Sequence, residues 1–174
     1  MIINRVWAMP NKWTFTIKPI AELLARYVGD GKGWIDPFAG ENSPAEITND
    51  LNPNSPATFH LDAGDFLEQL NGNGYNGILF DPPYSLRQVK EIYGSIGKPV
   101  TGLELNFGNL RYAIEQLIIP GGTAISFGWN STGIGKTRGF EIIEILLVSH
   151  GRAHNDTIVT VERKIQSSFV ANPL

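Results

Sequence analysis

Asp81-Pro82-Pro83-Tyr84 is the stretch of this sequence best equipped for chemistry. It follows Gly77-Ile78-Leu79-Phe80, an apolar run that reads as a short buried strand. Two consecutive prolines cannot continue a β-ladder, because each lacks an N–H and fixes φ. The backbone carbonyls around them are therefore free to face a ligand. An acceptor carboxylate, a free carbonyl and a flat ring at one point suit a planar group that bears an amine. The plainer reading of the same four residues is a strand-ending turn, since Asp and Pro both favour turns.

Three more acids stand at places where a ligand could meet them. Asp36-Pro37-Phe38-Ala39-Gly40 follows an apolar run, and a glycine there permits a tight turn with close backbone approach. Asp50-Leu51 ends the next run, where an acid can accept hydrogen bonds from ribose hydroxyls. Asp65-Phe66 follows a third, offering an acceptor for an adenine amine beside an apolar wall. Upstream lies Thr16-Ile17-Lys18-Pro19. Each piece alone is ordinary loop chemistry; together they fit a nucleoside carrying an amino-acid tail.

These residues need a scaffold that gathers strand ends. Pro19 suits the first turn of a helix running to about Val28, with Ile20, Leu23, Leu24 and Tyr27 on one face, and Gly29-Asp30-Gly31 stops it. Strands are expected at roughly 33–37, 45–49, 57–61 and 77–81, with a short helical piece from Phe66 to Leu70. Residues 106–118 have helical periodicity, Pro120-Gly121-Gly122 ends that helix, and Thr123 to Phe127 reads as a further strand. Phe140 to Ser149 and Thr157 to Lys164 form a final antiparallel hairpin. Residues 1–17 are mixed polar and aromatic. The alternation predicts an open α/β sheet, mostly parallel, that binds ligands beyond its strand C-termini.

On these motifs the sequence resembles the S-adenosylmethionine-dependent DNA amino-methyltransferases, in the adenine-specific D-P-P-Y form, over roughly residues 13 to 164. Small phage- and prophage-type members are the nearest likeness. The resemblance implies a Rossmann-like methyltransferase sheet in one domain over residues 1–174, without a separate target-recognition domain. It implies S-adenosylmethionine at Thr16, Ile17, Lys18, Asp36, Pro37, Phe38, Ala39, Gly40, Asp50, Leu51, Asp65 and Phe66. Asp81, Pro82, Pro83 and Tyr84 would be catalytic, methylating the N6 amine of a flipped-out adenine. The sequence departs from the family after its first strand. Only Glu41-Asn42-Ser43-Pro44 separates Gly40 from the next apolar run, too little for the usual helix, so that helix is expected to be reduced or missing. Residues 11–19 are expected to cover part of the gap.

DNA is the expected partner. Arg87, Lys90 and Lys98 follow the catalytic motif against Glu91 alone, and suit phosphate contact. Lys136 and Arg138 belong to a second candidate segment. The family's topology brings the turn from His150 to Asp156 to the same edge, with His154 as the group facing the flipped base. A metal between His150 and His154 lacks an evident third ligand, so none is expected. The alternatives are methylation of a cytosine amine, RNA or protein, or a non-catalytic nucleic-acid-binding subunit. The Asp before the two prolines argues against the first group, whose cytosine- and glutamine-directed relatives usually carry Ser or Asn there.

Composition sets the limits. The chain has 174 residues, enough for one domain with a real core. It has no cysteine, which excludes disulfides and thiolate metal sites and suits a cytoplasmic setting, in a bacterium or a phage-infected cell. No apolar run approaches a membrane span, and no signal peptide is evident. The net charge of −3 is unusual for a nucleic-acid binder, unless the clustered acids face a cationic cofactor. A homodimer would enlarge the DNA surface of so small a protein.

Overall fold

The computed structural model describes residues 1–83, 90, 94, 107–151 and 154–165. A single seven-stranded sheet organises them. In chain order its strands are β1 (Ile2–Trp7), β2 (Trp34–Asp36), β3 (Ile47–Thr48), β4 (Tyr75–Phe80), β5 (Ile118–Gly128), β6 (Phe140–Ser149) and β7 (Thr157–Lys164). Their spatial order is β1-β6-β7-β5-β4-β2-β3. Only β7 runs antiparallel to its neighbours, β5 and β6; every other pairing is parallel. The expected mostly parallel sheet with a C-terminal antiparallel hairpin is what forms. Because β1 to β6 share one direction, the segments leaving their C-terminal ends all emerge at one edge.

Helix α1 (Lys18–Tyr27) covers one face. Pro19 sits in its first turn, and Ile20, Leu23 and Leu24 pack on Trp34, Leu79, Ile125, Val159 and Val161. Gly77 permits this packing, since a Cβ there would lie 2.7 Å from the Trp34 ring. Helices α2 (Ala63–Gln69) and α3 (Phe107–Leu117) cover the other face, with Phe66, Leu67, Ile114 and Leu117 against Ile35, Ile78, Phe80 and Ala124. Fully buried Glu162 on β7 accepts hydrogen bonds from the Ile134 and Gly135 amides at 2.6 and 2.9 Å. These bonds pin the loop between β5 and β6 onto the sheet. Glu144 on β6 is held by Arg26 (2.8 and 3.0 Å) and Tyr27 (2.7 Å) from α1, tying that helix to the sheet.

Three elements differ from the sequence reading. Strand β1 was not expected in the mixed segment 1–17; it adds to the free edge of β6 in register from Ile2↔Glu144 to Trp7↔Ser149. Its residues are almost all exposed, so it lacks the alternation that marks a half-buried strand. The strand expected at 57–61 shrinks to one bridge, Asn49↔Phe59. Pro53 and Pro56 leave too little chain before it for a crossover. Pro120-Gly121-Gly122 is not a clean break. Strand β5 begins at Ile118 and passes through it with a register shift opposite Tyr75 and Gly77.

Candidate functional site

β2 lies between β3 and β4, so the chain's path across the sheet reverses there. The crevice beyond the C-terminal ends of β2 and β4 is the place where open α/β sheets bind ligands. Asp36 is the last residue of β2, and Asp81 comes directly after β4.

The corner after β2 is built from side-chain hydrogen bonds where a helix would ordinarily stand. No helix forms between Asp36 and Ile47, as the short spacing implied. The Asp36 carboxylate, fully buried, accepts from the Ser43 hydroxyl at 2.6 Å and from the Phe38 amide at 2.9 Å. Asp50 accepts from the Gly40 amide at 2.8 Å and from the Asn52 amide at 2.8 Å. Buried Asn49 donates to the Pro37 and Leu61 carbonyls, both at 3.1 Å, and accepts from the Leu61 amide at 2.9 Å. Gly31 is where the loop closes on α1, since a Cβ there would collide with the Pro44 carbonyl oxygen. Gly40 takes φ +55, and nothing lies within 4 Å of where its Cβ would be. That open space leaves its backbone approachable.

Burial pushes the Asp36 carboxyl up to about 7; the Ser43 and Phe38 bonds oppose this, and the neighbouring charges of Asp81 and Asp50 add to it. Burial likewise pushes Asp81 up to about 7, opposed by the nearby Thr14 side chain. Part of the Asp81 surface still reaches solvent, so it sits at the floor of the cleft rather than inside the core. Pro82 is buried and Pro83 half-buried beside it. Asp36 lies within electrostatic reach of both Asp81 and Asp50, so the corner concentrates negative charge that a cation would stabilise.

Thr14 reaches this site by a path the sequence did not disclose. After β1 the chain crosses the C-terminal edge of the sheet as a strap. It is pinned at its start by the Ala8 amide on the Ser149 carbonyl (3.1 Å) and by His150, whose ring nitrogens meet the Ala8 carbonyl and the Thr157 hydroxyl, each at 2.9 Å. It folds into a 3-10 turn at Thr14–Thr16, with the Phe15 ring 5.0 Å from that of Phe127 on β5. Residues 11–19 were expected to cover the gap after Gly40. Phe15 and Ala21 do line a groove of about 250 Å³ with Asn42 and Pro44, while Thr14 turns to Asp81.

The other expected site residues are distributed as follows. Thr16 is exposed, its hydroxyl accepting from Asn11 and donating to the Trp13 carbonyl, both at 2.9 Å. Ile17 is in the core and Lys18 is exposed at the start of α1. Pro37 and Ala39 are buried; Phe38 is half-buried with its ring 5.9 Å from that of Phe80; Leu51 is half-buried. Asp65 is exposed in the first turn of α2, which Asp62 caps by accepting from the Gly64 amide at 2.9 Å. Phe66 is fully buried, its ring 5.6 Å from Phe59. Lys90 is exposed, and His154 is exposed on the β6–β7 connection, which emerges at the site edge. Tyr84, Arg87 and Lys98 lie outside the described residues. Among the described residues no group of three His, Asp or Glu is placed to hold a metal, and no helix is long and apolar enough to cross a membrane.

Compared with known protein families and curated proteins, the sequence matches none. Its structure does resemble solved ones. TrmN from Thermus thermophilus superposes with a TM-score of 0.55 at 18% identity over 86% of this chain, which spans only 49% of TrmN. A candidate methyltransferase from Escherichia coli, yhhF, gives 0.55 at 13% identity over 91% of this chain and 92% of its own. The 1,6-didemethyltoxoflavin-N1-methyltransferase of Burkholderia thailandensis, solved with its heterocycle and S-adenosylhomocysteine, gives 0.57 at 13% identity over 86% and 78%. The chain therefore has a Rossmann-like methyltransferase fold.

Proposed function

We propose that this chain is an S-adenosylmethionine-dependent methyltransferase that methylates the N6 amine of adenine in DNA. One observation carries the reading: Asp81-Pro82-Pro83 ends β4 at the point where the sheet order reverses, within electrostatic reach of the buried Asp36. The fold, shared with a methyltransferase solved with S-adenosylhomocysteine, supports it.

The residues present fit the cofactor. The open backbone at Gly40 would hold the amino-acid tail, with the buried charge of Asp36 behind it; Asp50 would hold the ribose and Asp65 the adenine edge. Thr16, Ile17 and Lys18 would border the tail. Phe38 and Leu51 are half-buried and available at the rim, while Pro37, Ala39 and Phe66 hold the turns from the core. The bound cofactor supplies an electrophilic methyl group on a sulfonium. That positive charge also favours the ionised forms of Asp36 and Asp81, whose burial otherwise opposes them.

The chain's own residues then position the acceptor. The lone pair of adenine's exocyclic amine is delocalised into the ring, which makes the nitrogen a poor nucleophile. The Asp81 carboxylate and the Pro82 carbonyl accept the two amine hydrogens, hold the nitrogen and stabilise the positive charge that develops on it. Pro83 keeps the backbone out of the ladder. Tyr84 and His154 would stack on the flipped base, and Arg87, Lys90 and Lys98 would meet phosphate.

Incubation with labelled cofactor and unmethylated DNA, followed by digestion to nucleosides, should place label in N6-methyladenine. Active protein that leaves adenine unlabelled on varied DNA defeats the reading. Label on cytidine, RNA or protein would instead support the alternative acceptors. The reduced corner after Gly40 favours a non-catalytic nucleic-acid-binding subunit; calorimetry with S-adenosylhomocysteine separates the two, since such a subunit would bind none.

A further inference from the structure

We propose that Trp129 is a stacking platform for a nucleobase at the mouth of the cleft: its ring packs on the base beside the one that Asp81 receives. The inference rests on the nucleic-acid substrate proposed above and adds to it a contact residue that no motif of the reaction contains.

The sheet register places Trp129 there. Strands β4 and β5 run parallel, with Phe80 level with Ser126. Counting on from that pair, Asp81 is level with Phe127, and Trp129 leaves β5 two residues later, one strand over from Pro82-Pro83. Neighbouring strands lie about 4.8 Å apart, so a side chain as long as tryptophan can reach a group seated over those prolines. Residues 123–128 are buried, whereas Trp129 turns out of the sheet and is 49% exposed. Trp34, by contrast, belongs to the core, and the exposed Trp7 lies on β1, with β6 and β7 between it and β5.

The tip that carries Trp129 is held at both ends. Before it, Gly128 pairs with Ile158 on β7. After it, Ile134 is buried, and the Ile134 and Gly135 amides donate to Glu162. Gly133 takes φ +58, and a Cβ there would collide with the Glu162 carboxylate, so the chain turns back tightly over the sheet. Within the tip the Asn130 side chain accepts from the Thr132 amide at 3.0 Å. A ring on so short and anchored a loop loses little freedom when a base covers it. Flipping one base out leaves its neighbours without a stacking partner, and an aromatic ring can replace it at any sequence, since every base has a flat face. Lys136 and Arg138, expected on the same segment as phosphate contacts, lie elsewhere. They form the 3-10 turn that leads into β6, whose first residue, Phe140, pairs with Lys164 at the end of β7. That is the sheet edge opposite the cleft. What this loop brings to the substrate is therefore the ring and not its two cations.

The test titrates the full-length protein and its Trp129→Ala, Trp129→Phe and Lys136→Ala variants with fluorescein-labelled single-stranded DNA of mixed sequence, S-adenosylhomocysteine being present. Anisotropy gives Kd at several salt concentrations. Trp129→Ala should raise Kd about ten-fold, the scale of losing one base–aromatic stack. The dependence of Kd on salt should stay as it is, because no phosphate contact is lost. Trp129→Phe should bind within about three-fold of the wild type, and most of the quenching of tryptophan fluorescence by DNA should vanish with the indole. Lys136→Ala should change Kd by less than about two-fold, as should each variant the affinity for S-adenosylhomocysteine. Unfolding midpoints show which variants fold, and Trp129→Phe supplies the quenching readout if Trp129→Ala does not. A folded Trp129→Ala that binds DNA like the wild type overturns the proposal. So does a Phe variant that keeps the quenching, a Lys136→Ala loss as large as that of Trp129→Ala, or a wild type that binds no DNA. If the wild type binds and is quenched but transfers no methyl group, the reaction assigned above fails and the platform stands. If it methylates adenine while Trp129→Ala binds as tightly, the reaction stands and the platform fails.

Discussion

Asp36 and Asp81 stand at neighbouring strand ends, and burial pushes both up to about 7, yet their surroundings are built oppositely. Around Asp36 the chain is self-satisfied: Ser43, Phe38, Gly40, Asn49 and Asp50 exchange short hydrogen bonds across a corner without a helix. Around Asp81 two prolines offer no amide, and the Thr14 side chain approaches from a distant segment. The difference separates two jobs. Acids whose oxygens are already engaged give shape and negative charge to a cradle. An acid with partial exposure beyond a strand end is suited to meet a substrate that comes and goes.

The largest effect should come from removing the open acid. Asp81→Ala should lower methyl transfer at least about 100-fold, the scale of losing one preorganised charge-stabilising group. Affinity for S-adenosylhomocysteine should stay within about three-fold. A variant that also stops binding in calorimetry would show that the two regions are not separate.

The closed corner should instead fail structurally. Asn49→Ala leaves two carbonyls and one amide without their partners, at a cost of about 3 kcal/mol. Chemical denaturation measures this; a change under about 1 kcal/mol would mean that the corner relaxes easily.

The pH dependence of stability tests both regions at once. An acid whose folded pKa lies above its unfolded value binds protons more tightly when folded, so its contribution falls as pH rises towards and through the folded value. For Asp36, at about 7 against an ordinary 3.8, the loss between pH 5.5 and 8 is about 2 kcal/mol. The cofactor-free protein should therefore melt at a lower temperature at pH 8 than at pH 5.5. Asp81→Asn should flatten that slope, and S-adenosylmethionine should oppose it. A melting temperature that rises over this range would contradict the burial of both acids.

A pair distant from either region gives the baseline. Arg26 is half-exposed over the buried Glu144, which keeps its bond from Tyr27 when Arg26 is removed. Arg26→Ala should cost no more than about 1 kcal/mol and leave transfer unchanged. A loss as large as that of Asn49→Ala would mean that the tie between α1 and β6 supports the cleft as well.

Elements with strong local patterns were legible in the sequence. Pro19 and Gly29 bracket α1, which spans Lys18–Tyr27, and the last two strands run from Phe140 to Ser149 and Thr157 to Lys164 as expected. β1 was not legible, because an exposed edge strand shows no burial rhythm and its partner lies some 140 positions away. The segment at 57–61 has strand composition but only one bridge, because composition does not report whether the chain has length enough to pair. In the site, Asp36 and Asp81 were visible because Asp-Pro punctuation marks strand ends. Ser43, Asn49 and Thr14 were not, since a hydroxyl or an amide gains its meaning only from the group it reaches.

The sequence by itself determined the order of acids and strands, the Asp81-Pro82-Pro83 ending of β4 and the want of a helix after Gly40, because these follow from local residue chemistry and spacing. Only the tertiary structure decided that a strap from the unforeseen first strand crosses the sheet edge and brings Thr14 to Asp81. It also decided that Asp36 and Asp50 reach the crevice already bonded. Such contacts join residues far apart in the chain. They are set by how the strands align and by what burial demands of a polar group, and neither is written at any one position.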